Sequence, residues 1–392
     1  MARAAAPVQV RALKFEGTVA GAAASVALTN NSTNAPVLYY SFDGRTWTQW
    51  NYSALSCPKG TPVYIRGNNP NGFSTNGNLT SRFTFTAATG NTITCDGDVT
   101  SLLDYENEVT TLPTNYCFYR LFYQCTTLAK APSLPALTVT NYCYNQMFFG
   151  CTSLTAAPDL PATTLGNNCY YQMFEGCTSL TDIPTILPAP TLMSSCYSRM
   201  FYGCTSLTYS PELPALTATI NCYTSMFTNC RSLVNVGAIR ATSMGYASCQ
   251  GMFEGCTSLQ TAPELPATTL NSSCYSGMFR NCTALRTAPA VLPALTLSNG
   301  CYGEMFRGCS MLERAPRLPA ETLVSSCYQY MFRDCAMLSE ITARFLTTPG
   351  TNYTASWVQG VAASGTFTKS ARATWQTTGV NGVPTGWTIT TE

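Results

Sequence analysis

The hydrophobic positions of this chain recur with a fixed period over most of its length. The signature Cys-Tyr-x-x-Met-Phe-x-x-Cys-x-x-Leu appears, complete or with substitutions, nine times between Cys117 and Leu338, at intervals of 26 or 27 residues. A period of this length is typical of a solenoid, in which each unit buries its apolar face by stacking on its neighbours. Such proteins usually present a long surface to a partner, so the pattern favours recognition over catalysis.

Each repeat predicts a short helix followed by a short strand. In the repeat that begins at Cys169, apolar residues follow at i, i+4, i+8 and i+11, which fits one stripe of a helix. Asn168 precedes this stripe as a good N-cap, and Gly176 stands where a left-handed residue would end the helix. The segment after Leu154 contains Pro158, which excludes helix and predicts a short extended strand.

Three repeats depart from the pattern. Two 27-residue repeats carry their extra residue in the proline segment, within 184–188 and 289–293, where an outward bulge would leave the rest of the repeat in place. The repeat after Cys222 lacks both prolines, and Cys249 stands where a tyrosine sits elsewhere. We expect local irregularity there, such as a bend.

The 20 cysteines predict buried free thiols. Eighteen of them belong to the repeats, where they recur at apolar positions, and we interpret them as small hydrophobic residues in columns along the core. Cys57 and Cys95 lie outside the repeats, and the sequence leaves open whether they are bonded. No Cys-x-x-Cys pair occurs, so a zinc site is not indicated.

The flanking segments differ from the repeats. Short apolar runs such as 37–42 and 82–85 alternate with polar turn clusters, which predicts a small β-sandwich. Trp357, Trp375 and Trp387 are bulky enough to cover the last repeat. The predicted class is therefore α+β, with an arm (1–15), a β-sandwich (16–97), a solenoid of nine helix-plus-strand repeats (98–345) and a C-terminal cap (346–392).

The repeat resembles the BspA-type leucine-rich repeat over about residues 111–345. The resemblance rests on Met-Phe-x-Gly-Cys-Thr-Ser-Leu at 147–154, 173–180 and 200–207. Repeats of that family are typically shorter and often carry Ala where this chain has Met. The tail, with Trp357 and Gly386-Trp387, looks like the ends of related proteins from gut Bacteroidota and their phages. The resemblance implies a non-catalytic surface protein for adhesion or recognition.

Composition narrows the function further. Charged residues make up 10% of the chain, against about 25% in an average protein, and the net charge is +2, so no footprint for nucleic acid is visible. Histidine is absent, which removes the usual proton-transfer residue and the commonest metal ligand. We expect no cofactor, no catalytic activity and, because no apolar run approaches 18 residues, no membrane insertion.

Variable positions on the predicted strands give the candidate ligand-binding strip. Stacked strands lie about 5 Å apart, so outward residues of successive repeats would form one continuous surface. A solvated face without function would show the same variability. The candidate site residues are Asp159, Asp182, Tyr209, Glu212, Asn235, Glu264, Arg314 and Arg317.

Two charged groups have simpler explanations. Arg280, Arg307 and Arg333 occupy one slot of successive repeats, where we expect Glu304 and Asp334 to neutralise them. The aspartates of the Asp-Gly-Asp run at 96–98 do not match the spacing of a calcium loop, so no metal site is predicted.

The start of the chain has no apolar stretch of signal-peptide length, which favours a phage virion protein, either a fibre or a decoration protein. Such a protein would lie on the virion surface and bind a host-surface glycan or protein through the solenoid. Its N-terminal region would contact other virion proteins. The alternatives are a secreted or cell-surface bacterial adhesin and a purely architectural virion component. Homo-oligomerisation stays open.

Overall fold

The computed structural model describes residues 11–31, 35–74, 77 and 80–392. The predicted α+β class is wrong, because within these ranges the regular elements are β-strands and one 3-10 helix, without an α-helix. The repeats form a β-solenoid of stacked coils. Residues 1–10 of the predicted arm lie outside the described residues, and residues 13–15 belong to the first strand.

The strands are β1 Leu13–Gly17, β2 Ala24–Asn30, β3 Leu38–Ser41, β4 Thr48–Gln49, β5 Leu55–Ser56, β6 Val63–Gly67, β7 Ser81–Ala87, β8 Ile93–Asp96, β9 Leu128–Lys130, β10 Thr217–Ala218, β11 Ser243–Met244, β12 Glu340–Ala343, β13 Thr366–Lys369 and β14 Thr388–Thr391. The 3-10 helix spans Val99–Leu102. Among the described residues, no helix is long and apolar enough to span a membrane.

Two sheets pack against each other before the repeats begin. One has the order β4-β3-β6-β1-β8-β9 and the other the order β5-β2-β7. Alternate residues of β1, β2 and β6 are buried, as period-2 patterning requires. The rings of Phe15 on β1 and Phe83 on β7 meet between the sheets, with centroids 5.1 Å apart. β8 pairs in parallel with β9, so the larger sheet continues into the first coil.

The segment predicted as a helix is a series of tight turns, which we call the turn segment (residues 168–177 and their equivalents). Every fourth residue is left-handed: φ is 54° at Asn168, 54° at Gln172 and 75° at Gly176. The prediction of a left-handed residue at Gly176 is confirmed. The N-cap predicted at Asn168 is wrong, because that residue is itself left-handed.

Backbone hydrogen bonds explain why turns replace the helix. The N–H groups of Tyr170, Gln172 and Phe174 donate to the carbonyl oxygens of Cys196, Ser198 and Met200 in the next coil, at 3.0, 3.0 and 2.9 Å. The intervening N–H groups close turns within the coil, to the carbonyl three residues back. An α-helix would direct every one of these donors along its own axis and leave the coils unconnected.

A ladder of phenylalanines runs through the whole solenoid. Neighbouring ring centroids lie 5.3 to 5.8 Å apart. The ladder consists of Phe83, Phe122, Phe148, Phe174, Phe201, Phe227, Phe253, Phe279, Phe306 and Phe332. Across the 27-residue repeats the spacing is 5.5 Å in both cases, so the extra residue does not disturb the core, as predicted. Phe83 belongs to β7, so one core joins the sheets to the coils.

A parallel tyrosine ladder is interrupted at one coil. Cys249 occupies the tyrosine slot, so Tyr223 and Tyr275 lack the stacking partner that other coils supply. The backbone is unaffected, because Tyr223 donates to Ser248 at 2.9 Å and Cys249 donates to Cys274 at 2.8 Å. The irregularity predicted here is therefore confined to side chains. The hydroxyls of Ser248 and Tyr275 are buried without a hydrogen-bonding partner among the described residues.

The 18 cysteines of the repeats are buried and free, as predicted, and Cys57 and Cys95, which the sequence left open, are free and buried as well. The second cysteine of each turn segment donates its S–H to a phenylalanine carbonyl of the previous coil. Cys177 contacts the oxygen of Phe148 at 3.1 Å, and Cys204 contacts that of Phe174 at 3.2 Å. The thiols therefore fill the core and give a second hydrogen bond to carbonyl oxygens that already accept a turn N–H, as Phe148 does from Cys151 at 3.1 Å.

Aromatic side chains cover the last coil. Trp357 is fully buried, and its ring centroid lies 5.9 Å from that of Phe332. Trp375 stacks on Phe345 at 5.2 Å. β12, β13 and β14 form a parallel three-stranded sheet beside them.

Phe227→Ala is expected to lower the free energy of unfolding by about 3–5 kcal/mol, because it removes one buried ring of the phenylalanine ladder and leaves a cavity between the neighbouring coils. The exposed Val234 of the same coil provides the control, and Val234→Ala should change stability by no more than about 0.5 kcal/mol. Urea titration followed by circular dichroism measures both. Equal losses for the two variants would contradict the ladder as a source of stability.

The thiols should make stability fall above about pH 8.5, where cysteines of the unfolded chain ionise. Burial raises the pKa of Cys177, Cys230 and Cys282 to about 12. The folded chain therefore keeps protons that the unfolded chain loses between these values, and unfolding becomes more favourable as the pH rises. Urea midpoints at pH 7.5, 9 and 10 test this. A flat profile would contradict it, and native thiols should fail to react with a disulfide reagent at pH 8.

Candidate recognition surface

The variable strip predicted from the proline segments is continuous in the structure. Successive coils are joined by parallel bridges between Tyr209 and Asn235 and between Arg314 and Glu340. Ile186 and Glu212 are bridged in the same way. Isolated bridges replace full strands because proline supplies no N–H group to a ladder. The strip is held by backbone contacts, while its outward side chains stay accessible.

Tyr209 is the aromatic residue of the strip, and it connects two coils. Its hydroxyl lies 2.9 Å from Asp182 Oδ1 and 2.7 Å from the carbonyl oxygen of Ile183, and it accepts a hydrogen bond from the Ile183 N–H. Burial raises the pKa of this phenol, and the Asp182 carboxylate adds to the shift. Tyr209 therefore remains a neutral hydrogen-bonding group at physiological pH.

The C-terminal end of the strip is internally neutralised. Arg314 Nε lies 3.2 Å from Glu340 Oε2, and Arg317 Nη2 lies 2.7 Å from Glu392 Oε1. These side chains are largely exposed, so each pair contributes little to stability. Both arginines are also less available to a ligand than the sequence suggests.

Other predicted site residues keep unpaired charge. Asp159, Asp182 and Glu264 are exposed and have no cation within 4 Å among the described residues. Glu212 has a loose ion pair with Arg240, at 3.7 Å. Carboxylates of this kind accept hydrogen bonds from hydroxyl groups, so the middle of the strip suits a neutral, hydroxyl-rich ligand better than an anion.

Clefts lie along the same face, between neighbouring coils. One has a volume of about 590 Å³, and Asp159 and Lys130 are among its lining residues. Its walls come from the proline segments of two coils, at Pro132, Pro135, Pro158 and Pro161. A second cleft of about 410 Å³ includes Glu264 and Pro263. The site prediction considered only variable residues and missed the prolines, although their regular spacing was the available signal.

The turn segments carry a second polar surface, built from one hydrogen-bonded series. Arg120 Nε donates to Gln146 at 2.5 Å, Gln146 donates to Gln172 at 2.6 Å, and Gln172 donates to Glu175 at 2.7 Å. Arg199 closes the series with two bonds to the Glu175 carboxylate, at 2.7 and 2.9 Å. A cation at one end and a carboxylate at the other orient both amides in the same direction.

The arginine slot further along this surface is neutralised as predicted. Arg280 binds Glu254 at 2.5 Å and Glu304 at 3.1 Å, and Arg307 binds Glu304 at 2.9 Å. These pairs lower the pKa of Glu304 although burial opposes the shift. Arg333 Nε lies 3.6 Å from Asp334 Oδ2, a looser ion pair without a hydrogen bond.

The acidic cluster at the start of the coils is held by protein donors. Asp96 pairs with Lys130 at 2.5 Å, and Asp98 pairs with Arg11 at 2.6 Å. Among the described residues, no group of three or more Cys, Asp or Glu side chains is arranged to hold a metal ion. The buried cysteines also lack the low pKa that a nucleophilic thiolate requires.

Glu175→Ala is expected to lower the free energy of unfolding by about 1–3 kcal/mol, because it leaves Arg199 and Gln172 without their acceptor in a half-buried position. Glu264, which has no cationic partner, is the matched control, and Glu264→Ala should cost no more than about 0.5 kcal/mol. Urea titration of both variants provides the comparison. If Glu175→Ala leaves the free energy of unfolding unchanged, the hydrogen-bonded series is not a stabilising network.

Comparisons with known proteins place these coils in a family. The family model described as BspA type Leucine rich repeat region matches six copies in this chain, over residues 114–244, 147–286 and 249–352. No curated protein sequence matches the chain significantly. A solved leucine-rich cell surface protein from Faecalibacterium prausnitzii aligns at 15% identity over 66% of this chain and 86% of the other, with a TM-score of 0.23, which is too low to establish a common fold.

The family matches together extend over residues 114–352, which is more than half of the chain. They coincide with the coils that carry the phenylalanine ladder and the strip. The chain belongs to the BspA-type leucine-rich repeat family.

Proposed function

We propose that this chain is a non-catalytic recognition protein displayed at a bacterial cell surface, and that it binds a host-surface glycan or protein through the strip on its proline-marked face. Membership in the BspA-type family, whose repeats are surface-associated, supports the surface location. The comparisons offer nothing in favour of a virion, so they favour the cell-surface alternative over the phage interpretation.

One observation carries the choice of surface. The strip combines carboxylates that have no cationic partner, such as Asp159 and Glu264, with proline-walled clefts on one continuous face. Elsewhere on the coils, most charged side chains form ion pairs with other residues of the chain. Open hydrogen-bonding groups beside apolar walls are the usual composition of a ligand site.

The same features favour neutral glycans as ligands. Carboxylate oxygens accept hydrogen bonds from sugar hydroxyls, while the proline rings offer apolar surface to one face of a sugar ring. Stacked coils repeat these groups at about 5 Å, which allows an extended chain to contact several coils at once.

Simultaneous alanine substitution of Asp182, Tyr209 and Glu212 is expected to weaken binding to a glycan array by at least about tenfold, a loss of about 1.4 kcal/mol. The matched control carries alanine at Thr164, Thr191 and Thr217, three exposed threonines outside the strip. Because Tyr209 packs against the core and bonds to the Ile183 backbone, the strip variant is expected to lower the thermal midpoint, so binding is compared at a temperature where both variants are folded.

Loss of binding in the threonine variant alone would assign recognition to a different side of the coil. An unchanged signal for the strip variant, on an array that the parent chain binds, would overturn the proposed surface. If the parent chain binds no glycan or host-surface protein, an architectural role gains support over recognition.

A further inference from the structure

Two arginines lie beside the junction of β7 and the first coil without any carboxylate partner. The guanidinium carbons of Arg82 and Arg120 are 5.9 and 5.0 Å from the ring centroid of Tyr123, so they are at most about 11 Å apart. No Asp or Glu of the described residues is within 4 Å of either guanidinium group. Residues 1–10, 32–34, 75–76 and 78–79, which lie outside the described ranges, include no Asp or Glu.

This arrangement differs from the rest of the turn surface, where guanidinium groups are matched. Arg199 is bound by Glu175, and Arg280 is bound by Glu254 and Glu304. Glu175 is already held by Arg199 and by the amide series, so its charge is not available to Arg82. The junction therefore keeps two positive charges that the chain does not neutralise.

Arg120 is held by the side chains around it, whereas Arg82 keeps its donors free. Arg120 Nε donates to Gln146, and its guanidinium group also bonds to the Tyr119 hydroxyl, with the guanidinium carbon 4.9 Å from the centroid of that ring. No nitrogen of the Arg82 side chain has a hydrogen-bonding partner among the described residues. An ordered guanidinium group with free in-plane donors is suited to bidentate binding of a planar anion.

A small polar cleft opens beside Arg82 and Tyr123, and Arg120 lies next to Tyr123 outside its lining. Its volume is about 210 Å³, and Arg82, Thr84, Tyr123, Gln124 and Thr126 supply its polar lining. A drug-sized ligand typically occupies about 300–1,000 Å³, so this cleft fits one ring or terminal group of a larger ligand. One face of Tyr123 is occupied by Phe149, whose ring centroid lies 5.0 Å away.

The backbone here argues against a peptide ligand. β7 is the edge strand of its sheet, but the N–H of Phe83 donates to the carbonyl oxygen of Leu121 at 2.8 Å, so the first coil already covers this edge. A peptide could not add as a further strand at that position. A sugar needs only the side-chain hydroxyl, amide and aromatic groups that line the cleft.

We propose that this cleft binds an acidic saccharide, whose anionic group contacts Arg82, whose ring packs beside Tyr123, and whose charge is also attracted by Arg120 on the other side of that tyrosine. The site shares no residue with the strip on the proline-marked face, so it goes beyond the proposed function. Together the two surfaces would let one chain contact neutral and acidic glycans at separate places.

The test measures binding of the full chain to hyaluronan oligosaccharides, which carry carboxylates, to dextran sulfate, which carries sulfates, and to neutral dextran. Arg82→Ala is expected to weaken binding of the anionic probe by at least about tenfold, and Arg120→Ala by a smaller factor, because Arg120 does not line the cleft. Arg231→Ala is the control, because Arg231 is exposed and, like the two arginines, lacks a carboxylate within 4 Å. Tyr209→Ala, on the strip, should leave this binding unchanged.

Preference for hyaluronan or for dextran sulfate over dextran would support the proposal and identify the anion. Equal binding of neutral dextran would overturn it, as would unchanged affinity in both arginine variants or an equal loss in Arg231→Ala. Binding of a polyglutamate peptide without binding of any saccharide would also overturn it. Thermal midpoints of the variants separate a folding defect from lost binding, and Arg82→Lys with Arg120→Lys should restore part of the affinity.

Discussion

Alternate backbone N–H groups of each turn segment donate to the following coil, and every other feature of the solenoid depends on that direction. The donors can point sideways because each fourth residue is left-handed, as at Asn168, Gln172 and Gly176. Each such bond contributes only about 0.5–1.5 kcal/mol net, but buried unpaired N–H groups would cost more, so the coils must stack in one register. That register sets the ring spacing of 5.3 to 5.8 Å in the phenylalanine ladder.

The ladders turn a short repeat into a continuous core. Each phenylalanine buries both faces of its ring only when coils are present on both sides, so a single repeat has no interior of its own. Phe83 supplies the partner on the N-terminal side and Trp357 supplies it on the C-terminal side. The thiols complete this core, since S–H donation adds a second hydrogen bond to a phenylalanine carbonyl that already accepts a turn N–H. A disulfide would remove that donor.

Once the interior is fixed, function is left to side chains that the core does not constrain. The proline segments hold coils together by isolated bridges and leave their outward residues accessible, and the strip with its clefts is the result. On the turn surface, the same repetition places Glu and Arg side chains within reach of each other, so most charges are satisfied internally. Surfaces that keep unpaired groups, such as Asp182 or Arg82, are the places where a ligand gains most from binding.

The sequence by itself determined the period, the buried columns, the free thiols and the left-handed residue at Gly176, because these follow from which side chains tolerate burial or positive φ. It predicted a helix wrongly, since apolar residues at i, i+4 and i+8 fit a four-residue turn as well as a 3.6-residue helix over so short a span. In a helix, the i+8 residue would lie about 80° around the axis from the first, whereas the observed columns stay aligned. Only the tertiary structure decided between them, because the choice lies in whether the N–H of Tyr170 finds its acceptor within the coil or on Cys196 of the next.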